Sequence, residues 1–433
     1  MKQIFRLALP SIISNITVPL LGLVDLAIVG HMGNIVYIGA IAVGTMIFNV
    51  IYWLFGFLRM GTSGMTSQAF GQNDMAEVMR LLLRSLMIAM GIALLLLVFQ
   101  IPLRWLTLAI IHPSAQILHE VSVYFSICIW GAPAILGMYG LTGWFIGMQN
   151  TRWPMYVAIF QNIVNIVMSL TLVYGFGMKI AGVGFGTLVA QWAGFLLALY
   201  GWHHRYRYLK GYDWKTNLFH RLAMRRFFVV NRDIFIRTLF LVGVNLFFIS
   251  AGASQGDVIL SVNTLLMTFF TIFSYVMDGF AYAGEALSGK LYGAGQQEEF
   301  NRVYHGLFVW AGFMVLAFTV VYAVGGNGLL SILTNEQRVI NASQAYFWWA
   351  LLIPVISVAA FIYDGIFIGI TATRGMLVSS VISALVFFTL YLLLRNTLYN
   401  HALWLSFLVY LGLRGIIQWR LFAKMKLNLF ATK

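Results

Sequence analysis

A chain of 433 residues in which 61% are hydrophobic and only 9% charged has too little polar surface to solvate a globule of its size. Its formal net charge of +14 would suit a nucleic-acid partner, but the basic residues are distributed as in a membrane protein, which excludes that reading. The single cysteine, Cys128, lies in an apolar run, so neither an intrachain disulfide nor a thiolate metal site can be built.

Charge-free apolar stretches recur along the chain, for example 35–58, 155–175 and 182–202. Each can cross about 30 Å of hydrocarbon as a helix. Alternating ten-residue strands are absent, which excludes an outer-membrane barrel. In chain order, twelve spans are expected near 7–30, 35–58, 81–102, 121–147, 155–175, 182–202, 234–253, 258–283, 305–325, 344–369, 377–395 and 402–422. The first contains Pro10, Pro19 and Asp25 and has no small-residue cleavage site, so it reads as a retained helix and not a signal peptide.

With the N-terminus in the cytoplasm, the inside segments hold 23 of the 27 Lys and Arg, leaving Arg104, Lys179, Arg338 and Arg395 outside. That asymmetry obeys the positive-inside rule and places both termini in the cytoplasm of a multi-pass protein of the inner (plasma) membrane. The densest basic stretch, Arg205 to Arg232, reads as a connector facing lipid headgroups.

The two halves repeat. Gly143-Trp-Phe-Ile-Gly-Met-Gln-Asn-Thr-Arg152 returns as Gly365-Ile-Phe-Ile-Gly-Ile-Thr-Ala-Thr-Arg374 at an offset of 222, and Gly71 meets Gly293 at the same offset. Six spans per half give the halves one orientation, hence a pseudo-two-fold axis along the membrane normal. The expected fold is an all-α membrane protein of two six-helix bundles, the architecture of a transporter that rocks about a midplane site. The expected boundaries are a lobe over 1–202, a basic connector over 203–232 and a second lobe over 233–433.

Four acids lie in spans or near their inner ends: Asp25, Asp278, Glu285 and Asp364. A charge at a bilayer centre costs about 2.5–3.5 kcal/mol even on the lenient insertion scale, so such residues face a cavity, pair, or carry protons. Asp25 follows Pro19 and Gly22, and a proline there lets the helix bend. Asn162, Asn165 and Ser169 share one face of the fifth span, and Thr187 and Gln191 one face of the sixth. Together they are expected to form a polar nest around Asp25, against the alternative of interhelical hydrogen bonding alone. Asp278 and Glu285, two turns apart among Gly279, Gly284 and Gly289, suit a packed structural role.

Enzyme readings fail. Gly61-Thr-Ser-Gly64 has no histidine base within a span, Tyr363-Asp364 has no Gly-x-Gly-Asp partner, and no phosphate-binding lysine loop is present to burn a nucleotide. Transport must run on an ion gradient, without metal or organic cofactor.

Asp278-Gly-Phe-Ala-Tyr-Ala-Gly-Glu-Ala286 with Gly289-Lys-Leu-Tyr-Gly293 resembles the multidrug and toxic compound extrusion (MATE) family, and within it the branch named for DNA-damage-inducible protein F. Tyr363-Asp-Gly-Ile-Phe-Ile-Gly369 and Leu7-Ala-Leu-Pro10 with Asp25 fit the same branch. The resemblance implies exchange of H⁺ or Na⁺ for small amphiphilic or cationic organic compounds, with Asp25, Asn165, Thr187 and Asp364 on the family's polar positions. Ser169 stands where many relatives carry a second aspartate, and the seventh span lacks a glutamate found in another branch. Both losses remove charge from a sodium site, so proton-coupled antiport is expected over sodium coupling. The alternative is a lipid-linked oligosaccharide flippase of the same superfamily. Such a protein would line its cleft with basic residues, whereas Arg84, Arg237, Arg414 and Arg420 are expected to snorkel toward the cytoplasmic ends. A monomer surrounded by membrane lipid is expected.

Overall fold

The computed structural model describes residues 2–426 and 429–430, and among these no strand occurs. Among the described residues, twelve helices are long and apolar enough to cross a membrane: α1 (Lys2–Gly30), α2 (Ile35–Gly71), α3 (Met75–Val98), α4 (Ala115–Gly147), α5 (Arg152–Gly175), α6 (Lys179–Gly211), α7 (Arg221–Ala253), α8 (Asp257–Gly293), α9 (Gln297–Gly326), α10 (Phe347–Gly369), α11 (Thr373–Leu398) and α12 (Asn400–Lys426). Shorter helices, Gln100–Ile111 and Gln337–Gln344, precede α4 and α10. Local signals set several ends. Asn34 accepts from the Val36 N–H at 2.9 Å and Asp74 from the Glu77 N–H at 2.8 Å, each relieving an unpaired donor of a first turn.

Several helices outrun the expected apolar spans. α2 continues past a break at Phe55 and Gly56 to Gly71, α8 runs on to Gly293, and α7 begins at Arg221. Hydropathy reports only the part that crosses hydrocarbon, while the backbone stays helical into the polar flanks. Of the 203–232 stretch expected as a connector, only 212–220 is non-helical.

The chain divides into two compact units, one formed by Ile13–Phe227 and the other by Met1–Ile12 with Phe228–Lys433. The division falls within the basic stretch, between Phe227 and Phe228, and the first turns of α1 count with the second unit. In the N-terminal unit an apolar core joins Ile28 and Val29 of α1, Ile41, Ile47 and Phe48 of α2, Tyr124, Phe125 and Cys128 of α4, and Val183 of α6.

The repeat is also a repeat of contacts. A Cβ on Gly143 of α4 would lie 2.2 Å from the carbonyl oxygen of Arg59 on α2, and one on Gly365 of α10 would lie 2.3 Å from that of Ala281 on α8. Both glycines and both partners are separated by 222 residues. Only glycine permits this backbone approach, so the same seam is built once in each unit.

Arg84 does not snorkel. It is 1% exposed, and it donates to Glu77 at 2.5 Å and to the carbonyls of Asn217 and Leu218 at 3.1 and 2.7 Å. Arg80 takes the Thr216 carbonyl at 3.0 Å. These bonds fasten the 212–220 loop to α3. Within the loop, hydrogen bonds from the Thr216 side chain and backbone hold the Asp213 carboxyl below the usual carboxylate range.

Candidate functional site

Asp25 lies on α1 with 1% of its surface exposed, beside the apolar core of the N-terminal unit. Two helices supply its polar neighbours. Thr187 Oγ1 of α6 donates to Asp25 Oδ2 at 3.2 Å, and Asn165 Nδ2 of α5 donates to Thr187 Oγ1 at 3.2 Å. Ser169 is fully buried one turn beyond Asn165, against Gly186 of α6, where a Cβ would fall 2.2 Å from Ser169 Oγ. The structure therefore brings Asp25, Asn165, Ser169 and Thr187 together as a buried group.

Two outer members behave differently. Asn162 Nδ2 donates to the Thr17 carbonyl at 3.0 Å, so its amide serves the backbone of α1 two residues before Pro19. Gln191 is buried on α6 with Oε1 against Gly131 of α4. The C-terminal end of α1 is held by Tyr174 of α5, whose hydroxyl donates to the Ile28 carbonyl at 3.1 Å. α5 itself ends in a wide turn in which the Phe176 N–H reaches the Thr171 carbonyl at 3.2 Å.

Donors in the group are the Asn165 amide and the Thr187 and Ser169 hydroxyls, and the acceptors outnumber them. Asp25 Oδ1, Asn165 Oδ1, Ser169 Oγ, Asn162 Oδ1 and Gln191 Oε1 are all buried without a hydrogen-bond partner among the described residues. Buried acceptors in this state are costly unless a donor or a cation is supplied. A proton on Asp25 adds one O–H donor and removes the charge. The group holds a single carboxylate, and no cluster of three or more His, Cys, Asp or Glu fit to hold a metal occurs among the described residues.

Sequence reasoning missed Tyr124 and Cys128 of α4. Both are buried, within electrostatic reach of Asp25, and Tyr124 also approaches Thr187. Cys128 is noticeable only as the lone cysteine. Nothing in the sequence marks Tyr124.

The other three acids expected in or near spans, Asp278, Glu285 and Asp364, lie in the C-terminal unit. Asp278 is half-buried and Glu285 buried on α8. The Glu285 carbonyl forms part of the close seam with Gly369 of α10, where a Cβ would lie 2.6 Å away. Asp364 is bound by Arg237, by Arg414 at 2.6 Å and by Gln418 at 2.5 Å. The expectation that Arg237 and Arg414 snorkel is corrected here: each is 6% exposed and turned to Asp364. With α7 starting at Arg221, Arg237 lies well inside its helix, where a buried carboxylate competes successfully with a distant headgroup. Arg420 is exposed, as expected. Asp233, just outside the expected seventh span, was also missed; it is buried and accepts from Arg232 at 2.9 Å and Thr373 at 3.3 Å.

Comparison with known proteins bears on the fold and the class. The sequence model of the MatE family matches residues 10–171 and 234–392, one segment in each half of the repeat. The chain is 37% identical over 417 residues to DNA damage-inducible protein F of Escherichia coli K12, covering 96% of this chain and 90% of that protein. A multidrug resistance MATE family transporter of the MOP superfamily, solved in an outward-facing conformation, superposes with a TM-score of 0.89 at 17% identity, covering 99% of this chain and 96% of that one. The bent form of the Vibrio cholerae MATE transporter VcmN gives a TM-score of 0.87 at 16% identity over 99% and 98% of the two chains. At these identities the two structures establish the fold.

Proposed function

The chain belongs to the MatE family of membrane transporters, which are not enzymes, and on that premise we propose that it exports small amphiphilic or cationic organic compounds in exchange for protons. The observation that carries the reading is the buried Asp25 group: a single carboxylate set among the Thr187 and Ser169 hydroxyls and the Asn165 amide, with the buried oxygen Asp25 Oδ1 left without a partner. Export of drug-like compounds is supported by the multidrug resistance named for the outward-facing structural neighbour.

The proposed cycle follows from charge. Ionised Asp25, buried in a low-dielectric lobe, favours a cationic compound. A proton arriving from outside cancels that charge, adds one more donor among the unpartnered acceptors, and releases the compound. Loss of the proton to the cytoplasm resets the site. α1 is the element suited to couple these states, because Pro19 interrupts its hydrogen-bond ladder six residues before Asp25. Each proton supplies about 1.4 kcal/mol per pH unit and about 2.3 kcal/mol per 100 mV, enough for roughly tenfold accumulation per pH unit and roughly fiftyfold per 100 mV.

Protons are favoured over sodium because a dehydrated Na⁺ needs several oxygens together with compensating charge, and Ser169 offers no second carboxylate. The test is efflux from proteoliposomes under an imposed pH gradient without sodium, against a sodium gradient at equal pH. Drive by the pH gradient is expected. Drive by sodium alone would overturn proton coupling and assign a sodium ion to the Asp25 group.

A further inference from the structure

The second lobe holds a charge cluster that the proposed cycle does not use. Asp364 of α10 accepts from Arg237 of α7 and Arg414 of α12 at the same oxygen, Oδ2, and from Gln418 Nε2 at Oδ1. All four residues are at least nine-tenths buried and belong to the C-terminal unit. Two guanidinium groups face one carboxylate, so one positive charge is left over. The nearest acid along α7, Asp233, is one turn from Arg237, but its two oxygens are taken by Arg232 and Thr373.

Arginine cannot shed this charge by losing a proton. A buried charge in low dielectric demands a counter-charge or full hydrogen bonding. Instead, Arg237 Nε and Arg414 Nε are buried without an acceptor, and so is the Tyr410 hydroxyl. Tyr410 lies one turn before Arg414, whose guanidinium sits over its ring at 5.5 Å. Three donors without acceptors and one unbalanced positive charge are complementary to a monoanion.

We propose that Arg237, Arg414 and Tyr410 form an anion site beside Asp364, which takes a small monovalent anion: chloride, or the carboxylate group of an organic compound. Gln418 Oε1 is a buried acceptor without a donor, so the anion lies on the Nε and Tyr410 side of Asp364 and away from that amide. The excess of a single charge selects a monoanion over a pyrophosphate. The site stands on its own observations and does not depend on proton coupling at Asp25.

The experiment is thermal unfolding of the purified protein, followed by tryptophan fluorescence, in a zwitterionic buffer with increasing sodium chloride, sodium acetate or sodium pyrophosphate. The wild-type melting temperature is expected to rise saturably with chloride or acetate. Saturation by chloride alone identifies an inorganic ion, and saturation by acetate a carboxylate ligand. Arg414→Gln and Arg237→Gln each leave one arginine to one carboxylate, a neutral pair, and half-saturation is expected to weaken about tenfold or more. Asp364→Asn leaves two arginines and is expected to saturate at a lower anion concentration than wild type. General salt effects act on all variants alike, so an equal response in wild type and both arginine variants would overturn the site. Should the arginine variants fail to fold, a response of Asp364→Asn weaker than or equal to wild type would do the same. A stronger response to pyrophosphate than to either monoanion would overturn the ligand class.

Discussion

Thr187 presents its proton, not its lone pairs, to Asp25. The Asn165 amide donates to Thr187 Oγ1, which leaves the one hydroxyl hydrogen directed at Asp25 Oδ2. Thr187→Val keeps the shape and removes that hydrogen, so the charged form of Asp25 loses the Thr187 donor. Efflux in proteoliposomes is expected to fall about tenfold or more, in line with a hydrogen bond to a charged group, and Thr187→Ser should recover most of it. Undiminished efflux by the valine variant would show that the hydroxyl's orientation is immaterial.

Asp25→Asn should abolish efflux while leaving expression and melting temperature near wild type, because it removes the exchangeable charge and keeps the shape. Binding of a fluorescent cationic compound should strengthen with rising pH in the wild-type protein, as the carboxylate ionises, and lose that pH dependence in the variant. A pH response that survives in Asp25→Asn would move the titrating group elsewhere.

The charge asymmetry of the sequence predicts sidedness. Asn34, Lys179, Arg338 and Lys215 are all exposed, so single cysteines at these positions on a Cys128→Ser background report topology directly. The first three should react with an impermeant maleimide from outside, and the fourth only after the membrane is opened. Outside labelling at position 215 would invert or break the twelve-span arrangement.

Gly365→Ala should drive α8 and α10 apart, because its methyl would sit 2.3 Å from the Ala281 carbonyl oxygen. Overpacking of this kind costs about 1–3 kcal/mol, and Gly143→Ala should cost a similar amount at the matching seam. Melting temperatures of the two variants test the pairing. If one is lowered and the other is not, the two seams are not equivalent in strength.

The sequence alone determined the number of spans and the internal repeat, and it singled out Asp25 as an acid inside an apolar run. These follow from run length, a fixed offset of 222 and the cost of an acid in an apolar run, all of which are properties of one dimension. The shared face of Asn165 and Ser169 was legible for the same reason, being one helical turn. Only the tertiary structure decided which partner each polar group takes. Asn162, on that same face, goes to the Thr17 carbonyl 145 residues away, and Tyr124 reaches the Asp25 group from α4 with no mark in its own segment. Arg237 and Arg414 had two outlets, the headgroups or a buried acid. Asp364, 127 and 50 residues distant in the chain, wins because helix packing sets it within hydrogen-bonding reach of both, where low dielectric strengthens each bond beyond what a solvated headgroup can offer.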